Sequence, residues 1–187
     1  NPDLLILPGT KATSADVAYW QARGLKNRLH DYAAKGGRIL GICGGYQMLG
    51  KKIKDPEAVE SRFRETEGLG FFDMTTTFQP EKVLKRVEEK IEAVIFNQKI
   101  SAVIESYEIH MGTSQPHRNY ESFGKTGAVT EDGRILGTYS HGLFDSADFR
   151  KSFLDALAAD CGKRRTAGAP VSMRLIKEQN YQKLSSW

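Results

Sequence analysis

Over its first fifty positions the chain alternates short apolar runs with longer amphipathic stretches. Leu4-Leu5-Ile6-Leu7 reads as a buried strand closed by Pro8-Gly9-Thr10. Residues 14–35 carry helical spacing interrupted near Gly24, with Ser14 as the expected N-cap and Gly36-Gly37 as the stop. Arg38 to Ile42 is a second short apolar strand, and Tyr46 to Lys51 a short helix. Strand, helix, strand, helix in that order predicts a parallel sheet with helical crossovers. Residues 51–68 are polar and read as irregular, with a turn at Asp55-Pro56. The period then shifts towards two. Thr75 to Phe78, Ile91 to Phe96, Ile100 to Ile109, Gly127 to Thr130 and Ile135 to Tyr139 read as strands, with hairpin turns at Asn97-Gln98-Lys99 and Glu131-Asp132-Gly133. A helix over 147–159 follows, capped by Ser146, and a last one from Met173 to Leu184 after Pro170. The expected architecture is one α/β domain over residues 1–160 with a tail over 161–187. Its central sheet is mostly parallel, with helices on both faces and an antiparallel extension.

Composition narrows this little. The 187 residues are 40% hydrophobic and 27% charged, ordinary for a globular chain with a full core. A net charge of +4 comes from scattered basic residues; Lys163-Arg164-Arg165 reads as a solvated tail, and no aromatic platform suggests nucleic acid. No apolar run is long enough for a bilayer, and no His/Cys cluster suggests a metal. Two distant cysteines, Cys43 and Cys161, fit a reducing, cytoplasmic setting. The sequence runs straight from Asn1-Pro2-Asp3 into a strand, so upstream strands are expected to be missing and the sheet to present an open edge.

The chemistry centres on Gly41-Ile42-Cys43-Gly44-Gly45, set between a strand and a helix. Gly-x-Cys-x-Gly is the thiol form of a nucleophile elbow, in which neighbouring glycines permit a strained backbone at the nucleophile. Such a turn aims the Gly44 N–H at a reacting carbonyl and sets the thiol at a helix N-terminus, which favours thiolate. A cysteine nucleophile needs a base. His30 and His117 read as surface residues; His141 follows the strand Ile135 to Tyr139 at the sheet end where Cys43 also emerges. A second oxyanion donor is expected from Gly9 and Thr10, in the loop after the neighbouring strand. In Tyr107-Glu108-Ile109-His110-Met111-Gly112, strand alternation places Glu108 and His110 on one face, as a pocket wall or a solvent-facing edge, and Tyr107, Ile109 and Met111 on the other.

Together these segments resemble a class I (triad-type) glutamine amidotransferase domain, and more narrowly the C-terminal glutaminase domain of the cobyric acid synthases. The resemblance spans roughly residues 2 to 158. It is carried by Pro2 to Lys11, Gly41 to Gly50, Gly68-Leu69-Gly70, Tyr107 to Gly112 and Gly137 to Phe144. It implies that Cys43 attacks the side-chain amide of glutamine, that His141 acts as base and then acid, and that a glutamyl thioester is hydrolysed to glutamate. Gly44 and Gly9 would supply oxyanion N–H groups, and Gln47 would shape the glutamine pocket. The ammonia would pass to an N-terminal synthetase domain that uses ATP and Mg to amidate a corrinoid acceptor, adenosyl-cobyrinic acid a,c-diamide, in cobalamin biosynthesis. No cofactor is expected in this domain, and no Gly-x-x-x-x-Gly-Lys-Ser/Thr loop occurs in it.

One position departs from the His-x-Glu pattern of many such enzymes: Leu143 stands two after His141. Either Glu108 or Asp145 orients the imidazole, or the site is a Cys–His dyad, which the narrower resemblance favours. Two other enzyme readings stay open at this stage: a glutaminase subunit that amidates a peptidoglycan precursor, and a thiol hydrolase on a related fold. A degenerate binding domain is the non-enzyme alternative, against which the presence of both Cys43 and His141 argues. Cys161 lacks an elbow and reads as a bystander.

Overall fold

A computed structural model describes residues 2–166 and 173–185. The first sheet forms where the apolar runs are short and bracketed by turns. Its strands are β1 (Leu5–Leu7), β2 (Ile39–Ile42), β7 (Glu121–Phe123), β8 (Gly127–Val129) and β9 (Ile135–Thr138). Their spatial order is β1-β2-β9-β8-β7. β1 and β9 flank β2 in parallel, with Leu40 level with Ile6 and Leu136. β8 and β7 add the expected antiparallel extension. Three neighbouring parallel strands therefore deliver the loops after Leu7, Ile42 and Thr138 to one edge of the sheet.

Between β1 and β2 lie α1 (Thr13–Ala22) and α2 (Leu25–Ala34), separated by Gly24 at φ +70°. The first helix begins one residue earlier than expected, and Ser14 is not its cap. Ser14 is buried inside the first turn, where its backbone N–H donates to Glu60 Oε1 at 3.1 Å. A carboxylate from a distant loop thus does what the local hydroxyl was expected to do. After the elbow, α3 (Gly44–Leu49) runs directly into β3 (Gly50–Lys54), which pairs with β4 (Glu65–Glu67). The 51–68 stretch is thus partly strand, stabilised by cross-strand pairing that its polar sequence does not announce.

A second sheet, which the expectation of one central sheet did not separate, holds those two strands. It also contains β5 (Phe72–Ile95), β6 (Gln98–Pro116) and β10 (Ser140–His141), in the order β10-β6-β5-β3-β4. β5 and β6 form one long hairpin, with a register shift between Thr77 and Lys82. The turn is type I′ in character: Phe96 and Asn97 lie at φ +51° and +59°. α4 (Ala147–Asp160) starts at Ser146, whose hydroxyl accepts from the Phe149 N–H as expected. It buries Phe149, Phe153 and Ala156 against Ile91, Ile104 and Phe96. α5 (Met173–Ser185) matches the last expected helix.

Candidate active site

Cys43 sits at φ +54°, ψ −112°, in the strained region an elbow requires. The glycines around it are dictated by close approach. A Cβ on Gly45 would lie 2.0 Å from the Leu7 carbonyl oxygen, and one on Gly41 2.7 Å from Leu49 Cδ1. On Gly44 it would meet Thr10 Cγ2 at 2.8 Å. The loop after β1 is therefore packed directly on the turn that carries the sulfur.

The same loop brings the two expected reacting groups together. A Cβ built on Gly9 would lie 3.4 Å from His141 Cε1 and 3.5 Å from Cys43 Cβ. The Cys43 side chain, at its Cβ, and the His141 imidazole thus approach one carbon-sized space beside the Gly9 backbone. His141 is held by register: β10 pairs with β6 so that His141 faces Tyr107, and the two rings stack at 5.1 Å and 11°. Its Nε2 is buried with no hydrogen-bond partner among the described residues. The Cys43 thiol donates to the Ile109 carbonyl at 3.4 Å.

Electrostatics set the resting protonation. Burial pushes the Cys43 thiol up; the Gly44 N–H opposes this, and the negative charge of Glu60 adds to it. Burial lowers His141, the neighbouring His110 lowers it further, and the Ile109 carbonyl partly offsets both. Both directions favour a neutral thiol beside a neutral imidazole over a preformed ion pair. The elbow's N–H does favour thiolate, but burial outweighs it.

The remaining expected residues fall into two groups. Thr10 belongs to the reacting side, though its hydroxyl is engaged: it donates to Asp16 Oδ2 at 2.5 Å and accepts from the Ala12 N–H at 3.1 Å. Gln47 is buried behind the elbow, its Nε2 donating to the Met111 carbonyl at 2.9 Å and to the Tyr139 hydroxyl at 3.3 Å. Glu108 and His110 share a face of β6, opposite to Tyr107, and wall a cavity of about 530 Å³ together with Tyr46, Lys85, Thr126 and Tyr139. Glu108 is 1% exposed, pairs with Lys85 Nζ at 3.1 Å and accepts from Thr126 Oγ1 at 3.1 Å. Its other neighbour is His110 Nε2 at 3.5 Å. Asp145 pairs with Lys177. Among the described residues no carboxylate contacts the His141 ring. His30 and His117 are engaged elsewhere, with the Leu69 carbonyl and the Thr75 hydroxyl.

Three contributors were not anticipated. Tyr107 supports the imidazole ring, Ile109 supplies the carbonyl facing the sulfur, and Glu60 places a negative charge near Cys43. Tyr107 and Ile109 were legible as one face of a strand, but nothing local said which face met the elbow. Glu60 lies in the stretch read as irregular.

The chain is similar to known proteins in sequence and in fold. The CobB/CobQ-like glutamine amidotransferase domain family matches residues 1–149. A cobyric acid synthase of Clostridium botulinum (strain 657 / Type Ba4) is 42% identical over 176 residues, covering 88% of this chain and 35% of the clostridial protein. A cobyric acid synthase of Dehalococcoides mccartyi (strain CBDB1) is 37% identical over 200 residues, covering 99% of this chain and 39% of its own length. The chain therefore spans little more than a third of these relatives. Among solved structures, PurLQS from Thermotoga maritima superposes with a TM-score of 0.59 at 17% identity, over 83% of this chain and 78% of that one. A glutamine amidotransferase gives 0.53 at 16% identity, over 83% and 79%. At such identities the structural likeness speaks to the fold.

Proposed function

The chain belongs to the CobB/CobQ-like glutamine amidotransferase family, and from that premise we propose that it is the glutamine-hydrolysing part of a cobyric acid synthase. Its fold is the class I glutamine amidotransferase-like one. The observation that carries the mechanism is the space beside Gly9, flanked by Cys43 and His141. A glutamine side-chain amide entering that space meets the sulfur on one side and the imidazole on the other.

The steps follow from the protonation states. His141, neutral at rest, takes the thiol proton as the sulfur attacks the amide carbon. The oxyanion that forms is met by backbone N–H groups of the elbow and of the β1 loop, at Gly44 and at Gly9 or Thr10. The imidazolium returns its proton to the amide nitrogen, the carbon–nitrogen bond breaks and ammonia leaves. Water then attacks the Cys43 thioester with His141 again as base, releasing glutamate and restoring the thiol. Two groups, Cys43 and His141, carry the chemistry as a dyad. Gln47 acts through its tether to Met111, fixing the elbow helix against β6.

In this reading residues 1–160 form the catalytic unit, with 161–187 as a tail, in the cytoplasm. No helix among the described residues is long and apolar enough to cross a membrane. The ammonia goes to an ATP- and Mg-dependent synthetase domain that amidates adenosyl-cobyrinic acid a,c-diamide. The cobyric acid synthase relatives and their greater length support that partner. Alone, the chain is a slow glutaminase, because its resting thiol is protonated and turned to a carbonyl. The test is glutamate release by the parent chain, Cys43→Ala and His141→Ala, with and without the synthetase domain. Both variants lose activity, and the added domain accelerates only the parent. A Cys43→Ala protein that keeps the parental rate defeats the mechanism.

A further inference from the structure

The dyad accounts for the amide end of glutamine and leaves its charged head without a partner. A zwitterionic amino acid entering a half-buried site needs an anion for its ammonium group, because an unpaired charge is costly to desolvate. Most acids near the elbow are committed. Glu108 is on the opposite face of β6 and pairs with Lys85; Asp145 pairs with Lys177; Asp16 accepts the Thr10 hydroxyl.

Glu60 differs. It is half-buried, and among the described residues it meets only neutral donors, the Thr13 hydroxyl at 3.1 Å, the Ser14 N–H at 3.1 Å and the Thr13 N–H. Three donors leave the carboxylate a further acceptor position. Thr13 Oγ1 in turn lies 3.4 Å from Gln47 Oε1, and 3.2 Å from where a Cβ on Gly44 would sit. The carboxylate is therefore one hydroxyl away from the turn that bears the nucleophile. Ser14 Oγ, on the next residue, is fully buried and has no partner among the described residues.

The loop that presents Glu60 is held firmly. Asp55, 1% exposed, accepts the backbone N–H groups of Val59, Glu60 and Ser61 at 2.7, 2.9 and 2.8 Å. We propose that Glu60 receives the α-ammonium group of the amino-acid amide whose side chain reacts at Cys43, so that this carboxylate makes the site selective for an amino acid over a simple amide. The inference rests on the glutaminase reading and deepens it.

Glu60 also serves as an acceptor for the first turn of α1, so the test must separate recognition from support. Cys43 is alkylated with two reagents: a diazoketone analogue of L-glutamine, which carries the ammonium group, and iodoacetamide, which does not. Glu60→Gln slows the diazoketone by about tenfold or more. The same change leaves iodoacetamide as fast or faster, because a negative charge beside the sulfur is gone. Glu60→Asp restores part of the diazoketone rate. If Glu60→Gln does not fold, the ratio of rates for the diazoketone and its des-amino counterpart is compared between parent and Glu60→Asp, and it falls in the variant. Equal slowing of both reagents, or of neither, overturns the proposal, as does an unchanged ratio. A parent that takes iodoacetamide but never the diazoketone defeats the glutamine reading itself, and this inference with it.

Discussion

Gly9 is the position where one methyl group decides between folding and chemistry. An added Cβ meets His141 Cε1 and Cys43 Cβ at 3.4 and 3.5 Å, close to ordinary contact, and Gly9 is not among the residues at positive φ. Gly9→Ala is therefore expected to keep its melting temperature within about 2 °C, since no mechanism for a large loss is engaged. It fills the space the amide must enter, and glutamate release falls by roughly a hundredfold or more. A variant that melts early, or one that stays active, counts against the placement of the substrate. The acid limb of kcat/KM tests the second reacting group. In the proposed mechanism neutral His141 is the base, so the rate rises with pH through its pKa, which burial and the neighbouring His110 lower. The limb's midpoint is expected below the ordinary imidazole value of about 6.5. His110→Gln removes the neighbour that lowers His141, raises the pKa of His141 and moves the limb towards neutral pH. A parental midpoint above that ordinary value contradicts the assignment. Cys43 and His141 were legible in the sequence because a glycine-spaced elbow and a strand-ending histidine are local patterns. Glu60 was not, because a buried Asp55 in another turn sets its position.

At the scale of elements, legibility followed the source of each element's stability. β1, β2, β9, α2 and α4 are short apolar or amphipathic segments with glycine or serine punctuation, and the residues themselves mark them. β3, β4 and residues 79–90 of β5 owe their strand form to pairing with distant partners. Lys82 to Ile95 includes many charged residues, yet Val87, Glu89, Ile91, Ala93 and Ile95 alternate inward along the hairpin. The buried Glu89 is satisfied by the Ser140 hydroxyl at 2.8 Å and by the Lys125 N–H. A charged residue at an inward position hides the period of two from any reading of hydrophobicity. Where α3 meets β1 the packing is closer than any side chain permits. Gly45→Ala drives a methyl group into the Leu7 carbonyl, so the elbow helix must move off the strand. A loss of about 3 kcal/mol or failure to fold is expected, as for the harsher overpacked sites. Urea unfolding measures it, and a loss under about 1 kcal/mol shows that the two elements are less tightly joined than described.

Across the whole molecule, a single carboxylate ties together segments that are far apart in sequence. Asp160 ends α4. It accepts from Arg38 Nε at 2.6 Å, just before β2, and from Asn97 Nδ2 at 2.7 Å, at the hairpin tip. Arg134, just before β9, lies 3.6 Å away. Asp160 is 5% exposed at its side chain and Arg38 12%. Four segments thus converge at the end of the first sheet opposite to the reacting edge. Burial alone pushes the Asp160 carboxyl up, but hydrogen bonds from Arg38 and Asn97 outweigh it and hold it below the usual carboxylate range. Its folded pKa is depressed, so its contribution is complete above the unfolded value of about 3.9 and disappears as pH falls through the folded value. Asp160→Asn leaves the Arg38 guanidinium partly buried without its counter-charge. A loss of about 3 kcal/mol is expected at neutral pH, and the gap between parent and variant should close as the solution is acidified below about pH 4. The reacting edge lies at the other end of the strands, so the folded variant should hydrolyse glutamine at the parental rate. Urea unfolding at a series of pH values, beside a glutamate-release assay at neutral pH, separates these effects. A gap that persists in acid would locate the loss in packing around α4, and a folded but inactive variant would mean that the clasp reaches the dyad through β2 and β9.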